Sequence, residues 1–155
     1  MAIVDNALVH ELRIQAPPET VFAYFTDPRR HALWLGRQAT LDPRPGGVYR
    51  CVVNDTATIL GEYLAVDPPH QVAFTWGFAD DQTVPPGSST VTVTLTPQPG
   101  GTLLRLVHTG LPHPALAPHD QGWHGYLGQL ATAASHSATA DPSDDPDATG
   151  LTPNR

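Results

Sequence analysis

Hydrophobic and polar positions near the start of this 155-residue chain change from the period of a strand to that of a helix. Leu12, Ile14 and Ala16 alternate with polar neighbours, which predicts a strand. Pro17 and Pro18 favour a helix start directly afterwards, because proline fixes φ and lacks an N–H that a first turn leaves unpaired. Apolar residues at helical spacing follow, namely Val21, Phe22 and Phe25.

The middle of the chain is predicted to be a run of strands. A second short helix is expected over 27–35, and Gly36 would end it. Turns rich in Pro and Gly then separate five segments of β character, which are 48–53, 57–66, 71–76, 89–96 and 102–109. Because the connections between them are short, we predict antiparallel pairing.

One long helix is predicted over 114–136. Its buried face is a narrow apolar stripe at helical spacing, formed by Leu116, Trp123, Leu127, Leu130 and Ala134. The opposite side carries glycines, which are unfavourable in a helix interior by about 1 kcal/mol each, namely Gly122, Gly125 and Gly128. Two explanations stay open: close approach of a partner subunit, or a tolerated surface.

Together these elements predict an α+β fold. A curved antiparallel sheet of about six strands would wrap around the long C-terminal helix, with two short helices after the first strand. We expect one domain over residues 1–136 and an acidic, Pro-rich tail over 137–155 that has little to bury and is disordered. A sheet curved around a helix favours a binding cavity and indicates no particular reaction.

Composition narrows the partners and the location. The net charge of −7 argues against binding a nucleic-acid backbone. No segment approaches the roughly 20 apolar residues of a membrane span, and no signal peptide is recognisable, so we expect a cytoplasmic protein without a membrane partner. All basic residues are Arg, and the abundance of Ala, Pro, Gly and Thr is typical of a high-GC bacterial proteome.

Several short blocks, in this order, resemble the START-like, helix-grip superfamily, and within it the homologues of the C-terminal domain of the activator of heat shock protein 90 ATPase. The likeness covers roughly residues 8–136. The blocks are Ala16-Pro-Pro-Glu-Thr-Val-Phe22, Thr26-Asp-Pro28, Arg44-Pro-Gly-Gly47, Gly61-Glu62, Val66-Asp-Pro-Pro69, Phe74-Thr-Trp76, Ser89-Thr-Val-Thr-Val93, Gly100-Gly-Thr102, His108-Thr-Gly-Leu111 and Gly122-Trp123.

The resemblance implies a deep cavity between the sheet and the long helix. It places His108 on the inner face, either as a hydrogen-bonding group for a ligand or as a core histidine bonded to a backbone carbonyl or a tyrosine. We expect Trp34 and Tyr49 to close the cavity mouth or to be ordinary packing. The full set of candidate cavity residues is Trp34, Tyr49, Tyr63, Phe74, Trp76, Leu106, His108, Trp123 and Leu127.

The function expected from this set is non-catalytic binding of a small hydrophobic or amphipathic ligand. One alternative is a cyclase- or hydrolase-like enzyme that uses His108 with Tyr63 or Glu62 as acid–base groups. Another is a protein-interaction module, either co-chaperone-like or a homodimer through the glycine side of the last helix. The superfamily hosts many activities, so the fold alone does not choose among them.

No catalytic residue, metal site or cofactor is predicted. His119 and His124 are five residues apart, which turns their rings about 140° from one another on a helix, whereas helical ligand pairs are four apart. Cys51 is the single cysteine and lies in a predicted strand, where a small buried hydrophobe is the better interpretation.

Overall fold

The computed structural model of the chain describes residues 2–4 and 6–139, which form eight strands and three helices. The helices are α1 Pro18–Thr26, α2 Pro28–His31 and α3 His113–Thr139. The strands are β1 Ala2–Val4, β2 Ala7–Ile14, β3 Gln38–Leu41, β4 Val48–Asn54, β5 Ala57–Asp67, β6 Gln71–Trp76, β7 Ser89–Gln98 and β8 Gly101–Thr109.

All strands belong to one antiparallel sheet in the order β1-β2-β8-β7-β6-β5-β4-β3. The predicted α+β architecture, a curved sheet with a long C-terminal helix, is confirmed. The expected strand count of about six is corrected to eight. The two additional strands, β1 and β3, lie at the two edges of the sheet. They are only three and four residues long, which is too short to show a clear period of two.

The first two helices form for the reasons that the sequence indicates. Pro17 caps α1 in an extended conformation, and Pro18 occupies the first helical position. Asp27 ends α1 and also caps α2, since its side chain accepts a hydrogen bond from the Arg29 N–H at 3.0 Å. The helix predicted over 27–35 is shorter than expected: α2 ends at His31, and turns lead to Gly36, which has a φ of +76°.

Helix α3 covers the inner face of the sheet. Each residue of its predicted stripe is buried, from Leu116 at 3% exposure to Ala134 at 0%. The helix contacts β1, β2 and α1 along its length. It also continues to Thr139, beyond the predicted end at 136. The remainder of the predicted tail, 140–155, lies outside the described residues, so its disorder stays a prediction.

Strands β7 and β8 contribute buried side chains to the inner face of the sheet. Val91, Val93 and Leu95 alternate with threonines and are buried, as predicted from their period of two. In β8, Leu106 and His108 are buried on the same face, with His108 paired to Val91 across the ladder. The part of the chain that the structure describes includes no helix long and apolar enough to cross a membrane.

Candidate ligand-binding pocket

An apolar pocket of about 260 Å³ lies between α3 and the sheet. Its floor is buried and consists of Ile59, Trp76 and Trp123. Its rim is partly or fully exposed and consists of Val53, Phe78, Pro118, His119, Gly122 and Tyr126. No Asp, Glu, Lys or Arg is among these lining residues, so the pocket wall carries no formal charge unless His119 is protonated.

His108 supports this floor from behind through a chain of hydrogen bonds. The Trp123 indole Nε1 donates to His108 Nδ1 at 3.0 Å, so Nδ1 is the acceptor and the neutral ring carries its proton on Nε2. His108 Nε2 lies 2.9 Å from Ser89 Oγ, and the Ser89 hydroxyl in turn donates to the Trp76 carbonyl at 2.9 Å. Burial, with a smaller contribution from the nearby His119, lowers the pKa of His108 to about 3. His108 is therefore a neutral group with both ring nitrogens occupied.

His119 on the rim has the opposite tautomer. Its Nδ1 donates to the Ala115 carbonyl at 3.0 Å, and its Nε2 accepts from the Trp76 indole Nε1 at 3.2 Å. Burial lowers the pKa of His119, although the Ala115 carbonyl and the charge of Asp81 act against that shift. The two imidazole rings meet edge to face, with centroids 5.4 Å apart. Both floor indoles thus donate to a neutral histidine.

The structure divides the predicted cavity residues into groups. Trp76 and Trp123 line the pocket, and His108 lies directly behind them with ring contacts to both. Leu106 and Leu127 are buried in the core outside the lining. The remaining four belong to the same hydrophobic core but lie outside the lining, namely Trp34, Tyr49, Tyr63 and Phe74.

Ring contacts and hydrogen bonds hold this part of the core together. Tyr49 stacks on Phe74 with centroids 4.0 Å apart, and its hydroxyl lies 2.7 Å from His31 Nε2. The Tyr63 hydroxyl donates to the Phe25 carbonyl at 2.8 Å. Trp34 and Tyr49, for which both closing the cavity mouth and ordinary packing were expected as alternatives, are buried at 1% and 0% exposure and lie outside the pocket lining.

Sequence reasoning missed most of the rim. His119 and Tyr126 stand four residues before and three residues after Trp123, so helical spacing already placed them beside it. Phe78 had no comparable signal. It follows β6 in an irregular segment and reaches the pocket through an isolated bridge with Ile59.

None of the groups of the enzymatic alternative lines the pocket. Glu62 is exposed, and Tyr63 is bonded to a backbone carbonyl. The lone pair of His108 accepts from Trp123, so no free base faces the pocket from this set. Cys51 is buried, donates to the Leu35 carbonyl at 3.3 Å, and has a pKa raised by burial to about 12, which opposes a thiolate.

Other polar groups lie outside the pocket. Within the described ranges, no group of three or more His, Cys, Asp or Glu side chains has a geometry that could hold a metal ion. His10 of β2 lies 2.9 Å from Asp120 of α3 and ties the helix to the sheet. A Cβ built on Gly125 or Gly128 meets open space, so the partner subunit proposed for this side of α3 stays a prediction.

The fold defines a START-like protein, in which a curved antiparallel sheet packs around a long C-terminal helix. The chain belongs to the family described as Activator of Hsp90 ATPase homolog 1-like protein, whose family model matches residues 15–135. No curated protein matches it significantly.

Among solved structures, the chain is similar to an AHSA1-like protein from Rhizobium etli, with 40% identity, 96% of this chain and 89% of that chain covered, and a TM-score of 0.68. It is also similar to DynU16, a protein of the dynemicin biosynthetic locus, with 26% identity and a TM-score of 0.74; the match covers 87% of this chain and 49% of DynU16. It is similar as well to an HSP90 activator from Plasmodium falciparum, with 25% identity and a TM-score of 0.68; the match covers 81% of this chain and 94% of that chain.

Proposed function

We propose that this protein binds a small hydrophobic or amphipathic molecule, without transforming it, in the pocket between its sheet and α3. The observation that carries the proposal is the buried floor of two indoles, Trp76 and Trp123, whose N–H groups are both satisfied inside the protein. Together with Ile59, such a floor offers only apolar surface to an occupant, and burying apolar surface there is favourable by roughly 25 cal/mol per Å².

Size and charge support the same conclusion. A volume of about 260 Å³ is slightly below the roughly 300–1,000 Å³ of typical ligand pockets, which favours a compact molecule. The absence of Asp, Glu, Lys and Arg from the lining gives a charged group no partner there. The similarity to DynU16, a protein of the dynemicin biosynthetic locus, supports a small-molecule role.

The non-catalytic part of the proposal rests on hydrogen-bond geometry. A general base needs a free lone pair and a pKa near the working pH. His108 has neither, because Trp123 occupies its acceptor nitrogen and burial lowers its pKa to about 3. His119 likewise uses both ring nitrogens in contacts with the protein.

Filling the pocket from Gly122 tests the binding site. A Cβ on Gly122 would meet only the Tyr126 ring, at 3.9 Å, so Gly122→Leu extends a side chain into the pocket without a backbone clash. We expect the variant to bind the neutral fluorophore N-phenyl-1-naphthylamine at least about tenfold more weakly than wild type, because each 1.4 kcal/mol of lost contact is tenfold. Fluorescence titration measures the dissociation constant.

Gly125→Leu is the matched control. It makes the same change on the same helix, where a Cβ meets open space outside the pocket. Both variants should gain about 0.5–1 kcal/mol of helix propensity in urea unfolding, and Gly125→Leu should bind the fluorophore as wild type does. If Gly122→Leu binds the fluorophore as tightly as wild type does, the binding site lies outside this pocket. If wild type shows no saturable binding to any of a panel of apolar fluorophores, the proposal is overturned.

A second candidate function is suggested by the family itself. The family description names an activator of Hsp90 ATPase, and the Plasmodium falciparum relative is an HSP90 activator. If the chain acts on a chaperone of this class, adding it to purified bacterial HSP90 should raise the ATPase rate severalfold. An unchanged rate at saturating concentration, together with no binding to the immobilised chaperone, would exclude this function.

A further inference from the structure

Hydrogen bonds inside the protein already engage most of the polar atoms around the pocket. The side chains of the lining that carry N–H or O–H groups are those of Trp76, Trp123, His119 and Tyr126. Trp76 donates to His119, and Trp123 donates to His108 behind the floor. His119 donates from its other nitrogen to the Ala115 carbonyl. In three of these four side chains, therefore, every polar atom is already hydrogen-bonded within the protein and none is free to bond a ligand.

Tyr126 is the fourth, and its hydroxyl has no partner among the described residues. It lies one helical turn after Trp123, on the partly exposed rim, while the indoles below it are buried at 2% and 4% exposure. A phenol hydroxyl both donates and accepts, so it can pair with a hydroxyl or a carbonyl. The pocket is thus apolar at its floor and has one free side-chain hydrogen-bonding group at its edge.

We infer that Tyr126 determines ligand specificity, and that the ligand is a neutral molecule with an apolar body and a hydroxyl or carbonyl at the end that faces the rim. This inference rests on the proposed binding function and adds the chemistry of recognition. The apolar body lies against Trp76 and Trp123, and the polar end bonds to Tyr126. A polar group placed at the floor would lose its water and find every partner occupied, which is unfavourable.

Two probes that differ by one hydroxyl test the inference against two variants. Naphthalene and 2-naphthol share one apolar body, and ¹H–¹⁵N NMR titration of the Trp76 and Trp123 indole signals measures the affinity of each. In wild type, 2-naphthol should bind about three- to tenfold more tightly than naphthalene, as expected for one net hydrogen bond. Tyr126→Phe should remove that preference and leave the affinity for naphthalene unchanged.

Thr132→Val is the matched control, because it removes a hydroxyl from the exposed side of the same helix, outside the lining. It should bind both probes as wild type does. If Tyr126→Phe weakens both probes equally, or changes neither, the role of Tyr126 is overturned while the pocket remains a binding site. If neither probe shifts the indole signals of wild type at any concentration, the proposed binding function fails as well.

Discussion

Lowering the pH from 7 to 4.5 should destabilise this protein by about 4–5 kcal/mol, a large part of the roughly 5–15 kcal/mol that stabilises a typical domain. The cause is a pair of buried histidines that the fold keeps neutral. Burial lowers the pKa of His31 to about 4 and that of His108 to about 3, whereas both titrate near 6.5 in the unfolded chain. Urea unfolding followed by tryptophan fluorescence, at steps from pH 7 to 4.5, measures the change.

The sign of the effect follows from proton uptake. Below pH 6.5 the unfolded chain protonates these two histidines and the folded chain does not, so acid favours unfolding. Each histidine then removes up to about 1.4 kcal/mol of stability per pH unit, until the pH reaches its folded pKa. Above pH 6.5 the stability from this source is fully present. The pKa values of His10 and His119 are also lowered by burial, which adds to the same trend.

His108→Gln separates the contribution of one histidine. Glutamine keeps an acceptor for the Trp123 indole and a donor for Ser89 but does not titrate. The variant should lose some stability at pH 7, and its slope between pH 6 and 4.5 should be shallower by about 1.4 kcal/mol per pH unit. An unfolding midpoint that is independent of pH in wild type would contradict the neutral, buried state of both histidines.

The sequence predicted the parts of the fold that have long periodic signals. The alternation from Ser89 to Thr96 placed one strand and its buried face, and the stripe from Leu116 to Ala134 placed α3. Edge strands β1 and β3 were missed, because segments of three and four residues show no distinct period. Their pairing with β2 and β4 depends on neighbours that are distant from any local pattern.

The position of the cavity was not predictable in the same way. Periodicity shows which side chains face inward, but it does not show where the packed interior leaves a gap. Tyr49 and Phe74 face inward and stack on one another at 4.0 Å, so they fill their part of the core. Trp76 and Trp123, with centroids 4.9 Å apart, face inward at the place where the rim opens. The sequence contains no feature that distinguishes these two pairs.

Replacing Trp123 by alanine should cost about 3–5 kcal/mol, the second large effect that we expect. The indole is 2% exposed, packs against Trp76 and donates to His108 Nδ1. Its removal enlarges the pocket and leaves a buried acceptor without its donor, and both changes are unfavourable. Urea unfolding measures the loss. Trp123→Phe, which keeps a ring but lacks the N–H, should fall between alanine and wild type.

Free indole should restore part of that stability, because the space left in Trp123→Ala adjoins the pocket and has the shape of the missing ring. At about ten times its dissociation constant, a ligand of the folded state adds about 1.4 kcal/mol. 1-Methylindole fills similar volume but has no N–H for His108, so it should bind about three- to tenfold more weakly than indole. Equal rescue by the two compounds would show that the hydrogen bond to His108 contributes little. If neither compound stabilises the variant, the core has closed over the space instead, and the floor of the pocket does not persist without the Trp123 ring.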